Sequence, residues 1–136
     1  MKEWLPASLC VFVLWGIWGF LPKLSTRYLP PKSVIIYEVL GSIAVGFIIL
    51  AMLKFRPQFN MTGATLGFIT GAVGFTGGLA YLYAVTKGPV SVVSVVTALY
   101  PAMVVAIAYF FLGETMTVKQ TVGCVLALVS IALLTT

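Results

Sequence analysis

Only three side chains in this 136-residue sequence carry a carboxylate, Glu3, Glu38 and Glu114, and there is no histidine and no aspartate. Ser-His-Asp hydrolysis, Cys-His proteolysis, paired-carboxylate glycosidase chemistry and His-ligated metal sites each lack a required part. The two cysteines, Cys10 and Cys124, stand in separate apolar stretches without C-x-x-C spacing. They read as small packing residues rather than a disulfide or a metal pair. No enzyme, no metal site and no cofactor is expected.

The groups that could still do chemistry are few and lie inside apolar runs. Glu38 is followed by Gly41 and Ser42 at i+3 and i+4, so on a helix it points along a small-residue patch that Val45 closes at i+7. A carboxylate inside a membrane span is costly, and such groups usually face an interior cavity and serve a pathway. There Glu38 could take up and release a proton. The alternative is an interfacial ion pair with Lys32, Lys23 or Arg27, and Lys23 is also the candidate intramembrane partner. Trp15 and Trp18, each beside a glycine, lie more than ten residues into the first apolar run. They suit either core packing or an aromatic wall for an organic or cationic ligand. Pro22 removes a backbone donor next to Lys23 and predicts a bend there. Ser94, Thr97 and Pro101 share a helix face with Tyr100 adjacent. Either the hydroxyls satisfy the carbonyl that Pro101 leaves unpaired, or the helix breaks and its freed backbone lines a substrate site. Tyr81 and Tyr83 could add polar tips, on different faces.

The elements that must position these residues follow from composition. The sequence is 61% hydrophobic and 8% charged, with a mean hydropathy of +1.13, whereas soluble domains are about a quarter charged. At about 20 apolar residues per crossing, the length accommodates five spans, at about 4–24, 33–53, 62–86, 90–112 and 118–134, with no room for a soluble domain. A bare Lys2-Glu3 start without a small-x-small cleavage pattern makes the first span a retained crossing rather than a signal peptide. Pro31 suits the first turn of the second span. Gly88 is expected as a left-handed cap after Lys87. Thr117 and Gln120 have capping-box spacing at the start of the fifth span. Glu114, beside Gly113, reads as a favourable charge near a helix N-terminus.

Two patterns concern assembly. Gly67, Gly71, Gly74 and Gly78 fall at i, i+4, i+7 and i+11 of the third span, a stripe that lets another helix approach closely in lipid. Five spans put the termini on opposite sides, so Lys2, Lys54, Arg56 and Lys119 flank one side while Lys23, Arg27, Lys32 and Lys87 flank the other. This even split gives the positive-inside rule no preference. It allows either chance balance, or insertion in both orientations with two copies pairing antiparallel. The net charge of +5 is spread over these flanks rather than gathered in a patch, so no nucleic-acid partner is expected.

The sequence resembles the EamA domain of the drug/metabolite transporter superfamily. The resemblance rests on Trp15-Gly16, Pro30-Pro31, the run L-Y-A-V-T-K-G-P-V-S from Leu82 to Ser91, Tyr100-Pro101, and F-F-L-G-E-T-M-T from Phe110 to Thr117. The G-x-x-L-A-L stretch from Gly123 to Leu128 adds to it, and the resemblance covers essentially the whole chain. It implies an all-α integral membrane protein, a five-helix bundle equivalent to one half of a ten-helix transporter whose two repeats are inverted. A single repeat would complete its site by pairing, as the small multidrug resistance proteins do. EamA repeats often carry Arg early in the second span, where this chain has Glu38, which favours cationic or zwitterionic substrates over anionic ones.

The expected function is a secondary transporter, an exporter of small organic metabolites or drugs. It would work by alternating access in the plasma or inner membrane, surrounded by lipid, as an antiparallel homodimer or with a related five-helix chain. Glu38, Lys23, Trp15, Trp18, Tyr81, Ser94, Thr97 and Tyr100 are the candidate coupling and substrate residues, and the four glycines the helix contact. The alternatives are a subunit of a heterodimeric transporter and a flippase of lipid-linked substrates.

Overall fold

The computed structural model describes residues 3–135, apart from the side chains at 127, 130, 131, 134 and 135. Every regular element among the described residues is helical. The order is α1 (Trp4–Ser25), α2 (Pro31–Met52), α3 (Met61–Lys87), α4 (Val90–Thr97), α5 (Tyr100–Ile107) continued by a π-helical turn at Ala108–Leu112, and α6 (Val118–Thr135). Four stretches, Trp4–Ser25, Pro31–Met52, Met61–Lys87 and Val90–Leu112, are long and apolar enough to cross a membrane. The expected fifth span coincides with α6, part of whose side chains lie outside the described residues. At about 1.5 Å per residue, the 27 residues of α3 exceed a hydrocarbon core of about 30 Å, which a helix accommodates by tilting.

Local signals set most helix ends. Pro30 is extended and Pro31 opens α2, where its fixed φ suits a first turn and its missing N–H is no loss. The Asn60 side chain caps α3, its Oδ1 accepting from the Gly63 N–H at 3.0 Å. At α6 the expected capping box is formed: the Thr117 N–H donates to Gln120 Oε1 at 2.9 Å, and the Gln120 N–H donates back to Thr117 Oγ1 at 3.4 Å. The left-handed glycine cap falls at Gly113, with φ 65°, and not at Gly88. Pro89 accounts for the difference, because a residue before proline is pushed toward extended conformations.

The fourth span is broken. Ala98 and Leu99 interrupt it between Thr97 and Tyr100, because Pro101 cannot donate to the Thr97 carbonyl. The Thr97 hydroxyl does not repair the gap ahead of it. It bonds back to the carbonyls of Val93 and Ser94, both at 3.0 Å.

The chain divides into two structural units, a first through Lys87 and a second from Gly88. In the first unit α3 packs against both α1 and α2. The core is small: Val34 and Ile35 from α2, Tyr81, Leu82 and Val85 from α3, with Phe75 and Leu79 partly buried against it. All of it gathers where α1 ends, α2 begins and α3 ends. Toward the start of α1, the end of α2 and the start of α3, the apolar side chains are exposed. In the second unit α4 packs against α6, and no residue of α4 or α5 is fully buried.

Candidate functional site

The first unit is held by two cross-helix hydrogen bonds of the same sequence offset. The Tyr81 hydroxyl on α3 donates to the Gly19 carbonyl on α1 at 2.7 Å. The Lys23 ammonium on α1 donates to the Val85 carbonyl on α3 at 2.6 Å. Each joins residues 62 apart, so α1 and α3 run parallel and in register over one turn. Gly19 leaves its own carbonyl uncovered by a side chain, and Pro22 loosens the ladder beside it. Val85 would normally accept from residue 89, which is Pro89 and has no N–H. Lys23 therefore supplies the donor that Pro89 lacks, at a helix C-terminus where positive charge is favoured. Trp18 stacks on Tyr81, with ring centroids 5.5 Å apart and planes 29° apart.

Next to this brace, α1, α2 and α3 border a cavity of about 800 Å³. Its wall on α2 is Glu38, Gly41, Ser42, Val45, Gly46 and Ile49; α3 contributes Gly71, Gly74, Phe75 and Gly78, and α1 contributes Trp18. The spacing 38, 42, 45, 49 is one face of a helix. The Ser42 hydroxyl donates to the backbone carbonyl of Glu38 at 2.9 Å, the usual way a helix satisfies a hydroxyl in apolar surroundings. Gly78 lies at the deep corner. A Cβ there would stand 3.5 Å from Ile35 Cδ1, 3.8 Å from Glu38 Oε2 and 4.0 Å from Trp18 Cζ2. The bare backbone of Gly78 thus brings a carboxylate and an indole edge to one point.

Over residues 3–136 the chain matches the model of the EamA-like transporter family. It belongs to that family. An uncharacterized protein of Methanocaldococcus jannaschii is 32% identical over 127 residues, covering 93% of this chain and 92% of that one. No solved structure matches the chain. Family membership and the four apolar helices make it a multi-pass membrane protein of the drug/metabolite transporter type.

The structure sorts the expected site residues of this EamA-like chain into groups. Glu38 and Trp18 meet at the cavity. Tyr81 is buried behind Trp18 and holds Gly19 rather than facing the space, while Tyr83 is exposed. Lys23, expected as an ion-pair partner of Glu38, directs its ammonium to the Val85 carbonyl and is not part of the cavity wall. Trp15 lies outside the cavity wall and is exposed. Ser94, Thr97 and Tyr100 belong to the second unit, around the break in the fourth span.

Of the four stripe glycines, Gly78 is packed, Gly71 and Gly74 line the cavity, and a Cβ at Gly67, Gly71 or Gly74 would meet nothing within 4 Å. Gly46, Ile49 and Phe75 are wall residues that the sequence reading misses. For the first two the signal is present, because 46 and 49 extend the patch that begins at Glu38 by further turns.

Proposed function

We propose that this EamA-like protein is a secondary transporter that exports small organic molecules by alternating access, with Glu38 as the coupling and substrate-binding carboxylate. One observation carries the reading. The sole carboxylate of the four apolar spans lines a roomy cavity rather than a helix end. A carboxylate so placed can exchange a proton for a substrate, because both compete for one negative charge. Trp18 supplies an apolar wall beside it. The brace of Tyr81 and Lys23 closes one end of the first unit.

In this reading two copies pair antiparallel. The even split of basic residues between the two flanks supports insertion in both orientations, and the unfilled positions at Gly67, Gly71 and Gly74 suit approach by another helix. The test uses purified protein in liposomes with an imposed proton gradient. Glu38→Gln removes the charge at nearly constant volume and should abolish gradient-driven flux. Unchanged flux would refute the assignment of Glu38. Reporters fused to the C-terminus should give signal on both sides of the membrane, and signal on one side alone refutes the antiparallel homodimer.

A further inference from the structure

We infer that the packed end of the first unit, where α1 ends, α2 begins and α3 ends, holds an anionic phospholipid whose headgroup carries two phosphates. The basic residues of that end are Lys23, Arg27, Lys32 and Lys87, which the sequence keeps apart and the fold collects. Packing sets their placement. Lys23 donates to the carbonyl of Val85, two residues before Lys87, so the end of α1 is fastened to the end of α3. Val34 and Ile35 of α2 are buried with Leu82 of α3, and Lys32 stands two residues before Val34 in the first turn of α2. Arg27 follows Lys23 by one turn, in a connection tied back to α1: the Thr26 N–H donates to the Pro22 carbonyl at 3.0 Å and the Arg27 N–H to the Leu24 carbonyl at 3.1 Å.

The positive charge at this end is uncompensated. Glu38, the one carboxylate within α1, α2 and α3, lies further along α2 against the cavity, and Glu3 stands at the other end of α1. Arg27, Lys32 and Lys87 are exposed, and among the described residues none of the three forms an ion pair. Helix dipoles offset little. Two C-termini and one N-terminus together amount to about minus half a charge, against four full positive ones, and Lys23 already occupies one of those C-termini. The other basic residues are not gathered in this way: Lys54 and Arg56 share the connection after α2, Lys119 belongs to the second unit, and Lys2 lies outside the described residues. Equal counts along the sequence thus conceal unequal charge density in the fold.

The surroundings select a lipid over a soluble anion. Tyr28, beside Arg27, is 85% exposed, and a tyrosine so placed at a span end sits at headgroup level. Deeper along the same helices Leu21, Ile36 and Tyr37 are exposed and offer an apolar face to acyl chains. A lipid phosphate is held at this depth by its own chains and meets the cations at high local concentration, whereas a soluble anion approaches through water, where salt screens the attraction. Three cations without a carboxylate partner outnumber the single negative charge of a one-phosphate headgroup, and basic pockets between spans suit headgroups that carry more. Arg27 can engage phosphate oxygens bidentately, with Lys32 and Lys87 as point charges. Bound there, the lipid bridges the connection between α1 and α2 to the end of α3 and supports the brace that Lys23 makes.

The experiment uses the purified full chain in maltoside micelles and measures energy transfer from its tryptophans to acyl-labelled cardiolipin, competed by unlabelled compounds. Saturable transfer is expected, displaced by cardiolipin, at least about tenfold less effectively by phosphatidylglycerol at equal phosphate, and not by phosphatidylcholine. Inorganic pyrophosphate at matched ionic strength should not displace it. Arg27→Gln, Lys32→Gln and Lys87→Gln combined leave Lys23 in place and should weaken binding at least about tenfold, because each basic residue near an anionic surface contributes about fivefold. The matched triple Lys54→Gln, Arg56→Gln and Lys119→Gln removes the same charge elsewhere and should bind as the parent does. Arg27→Lys with Lys32→Arg and Lys87→Arg keeps the charge, should retain binding, and guards against a folding defect. Absence of saturable transfer, equal weakening by the two glutamine triples, or competition by phosphatidylcholine or phosphatidylglycerol equal to that by cardiolipin overturns the inference. Displacement by pyrophosphate overturns it in favour of a soluble anion.

Discussion

The brace between α1 and α3 makes a quantitative prediction. Tyr81→Phe removes one hydroxyl and leaves the ring, so the stack on Trp18 at 5.5 Å and the burial of a side chain only 7% exposed are retained. What is lost is the 2.7 Å bond to the Gly19 carbonyl. A neutral hydrogen bond of this kind contributes about 0.5–1.5 kcal/mol net, and cross-helix bonds inside membranes average about 0.6 kcal/mol. The expected cost is therefore about 1 kcal/mol. Lys23→Met removes the bond to Val85 at 2.6 Å while keeping a flexible apolar stem. A charged donor at a helix C-terminus contributes more, about 1.5–3 kcal/mol, and Pro89 has no N–H with which to make the regular helical bond to the Val85 carbonyl. Tyr81→Ala also deletes a buried ring and should cost about 3–5 kcal/mol by analogy with other aromatic truncations.

Reversible unfolding in mixed micelles measures all three, with helix content as the global signal and tryptophan fluorescence as the local one. The predicted order is Tyr81→Phe mildest, Lys23→Met intermediate and Tyr81→Ala most severe. Because the two bonds share one register, the double variant Tyr81→Phe with Lys23→Met should depart from additivity by about 0.5 kcal/mol or more. Two results would refute the reasoning. A Tyr81→Phe variant as stable as the parent means that the bond contributes nothing, and one as unstable as Tyr81→Ala means that the hydroxyl does something other than bind Gly19.

The glycines give three further outcomes. At Gly78 a methyl meets its neighbours at 3.5–4.0 Å, ordinary contact distances, so Gly78→Ala should be near neutral in the unfolding assay, whereas Gly78→Val should cost about 1–3 kcal/mol by overpacking against Ile35 and Trp18. Gly67→Leu meets nothing within 4 Å at Cβ, so helix content should be unchanged while, on the proposed pairing, the dimer fraction counted by single-molecule photobleaching in liposomes falls sharply. Gly113 holds a left-handed φ of 65°, so Gly113→Ala should lower thermal stability by about 1–2 kcal/mol, while Gly88→Ala, at a position without positive φ, should not.

The spans were legible because their signals are local. Apolar length, the Pro30-Pro31 and Gly88-Pro89 punctuation and the Thr117–Gln120 spacing each act within a few residues, and the helices begin and end close to where those signals lie. Glu38 and Trp18 were legible by type, since a carboxylate and an indole deep in apolar runs are unusual wherever the chain folds. The bond from Lys23 to α3 was not. Opposite charge suggested Glu38, but the decisive fact is that Pro89 orphans the Val85 carbonyl, and only the parallel register of α1 on α3 brings Lys23 to it. The cap at Gly113 rather than Gly88 required weighing the glycine against the proline that follows it.

The glycine stripe shows where a single chain stops being informative. Gly67, Gly71, Gly74 and Gly78 are equivalent as a pattern, yet only Gly78 has side chains of its own unit against it. In water the empty three would be a packing defect that apolar burial drives shut. In lipid no such force distinguishes a helix from an acyl chain, so a bare stripe persists until something shaped to it arrives. Gly71 and Gly74 face the same space as Glu38, and Gly67 continues the stripe one turn further without lining it. A helix of a second copy seated over Gly67 would therefore cover the cavity's margin without filling its deep corner at Gly78. Pairing and substrate binding can then share one helix face, and a bulky residue at Gly67 should impair assembly while sparing the charged corner that Glu38 and Trp18 form.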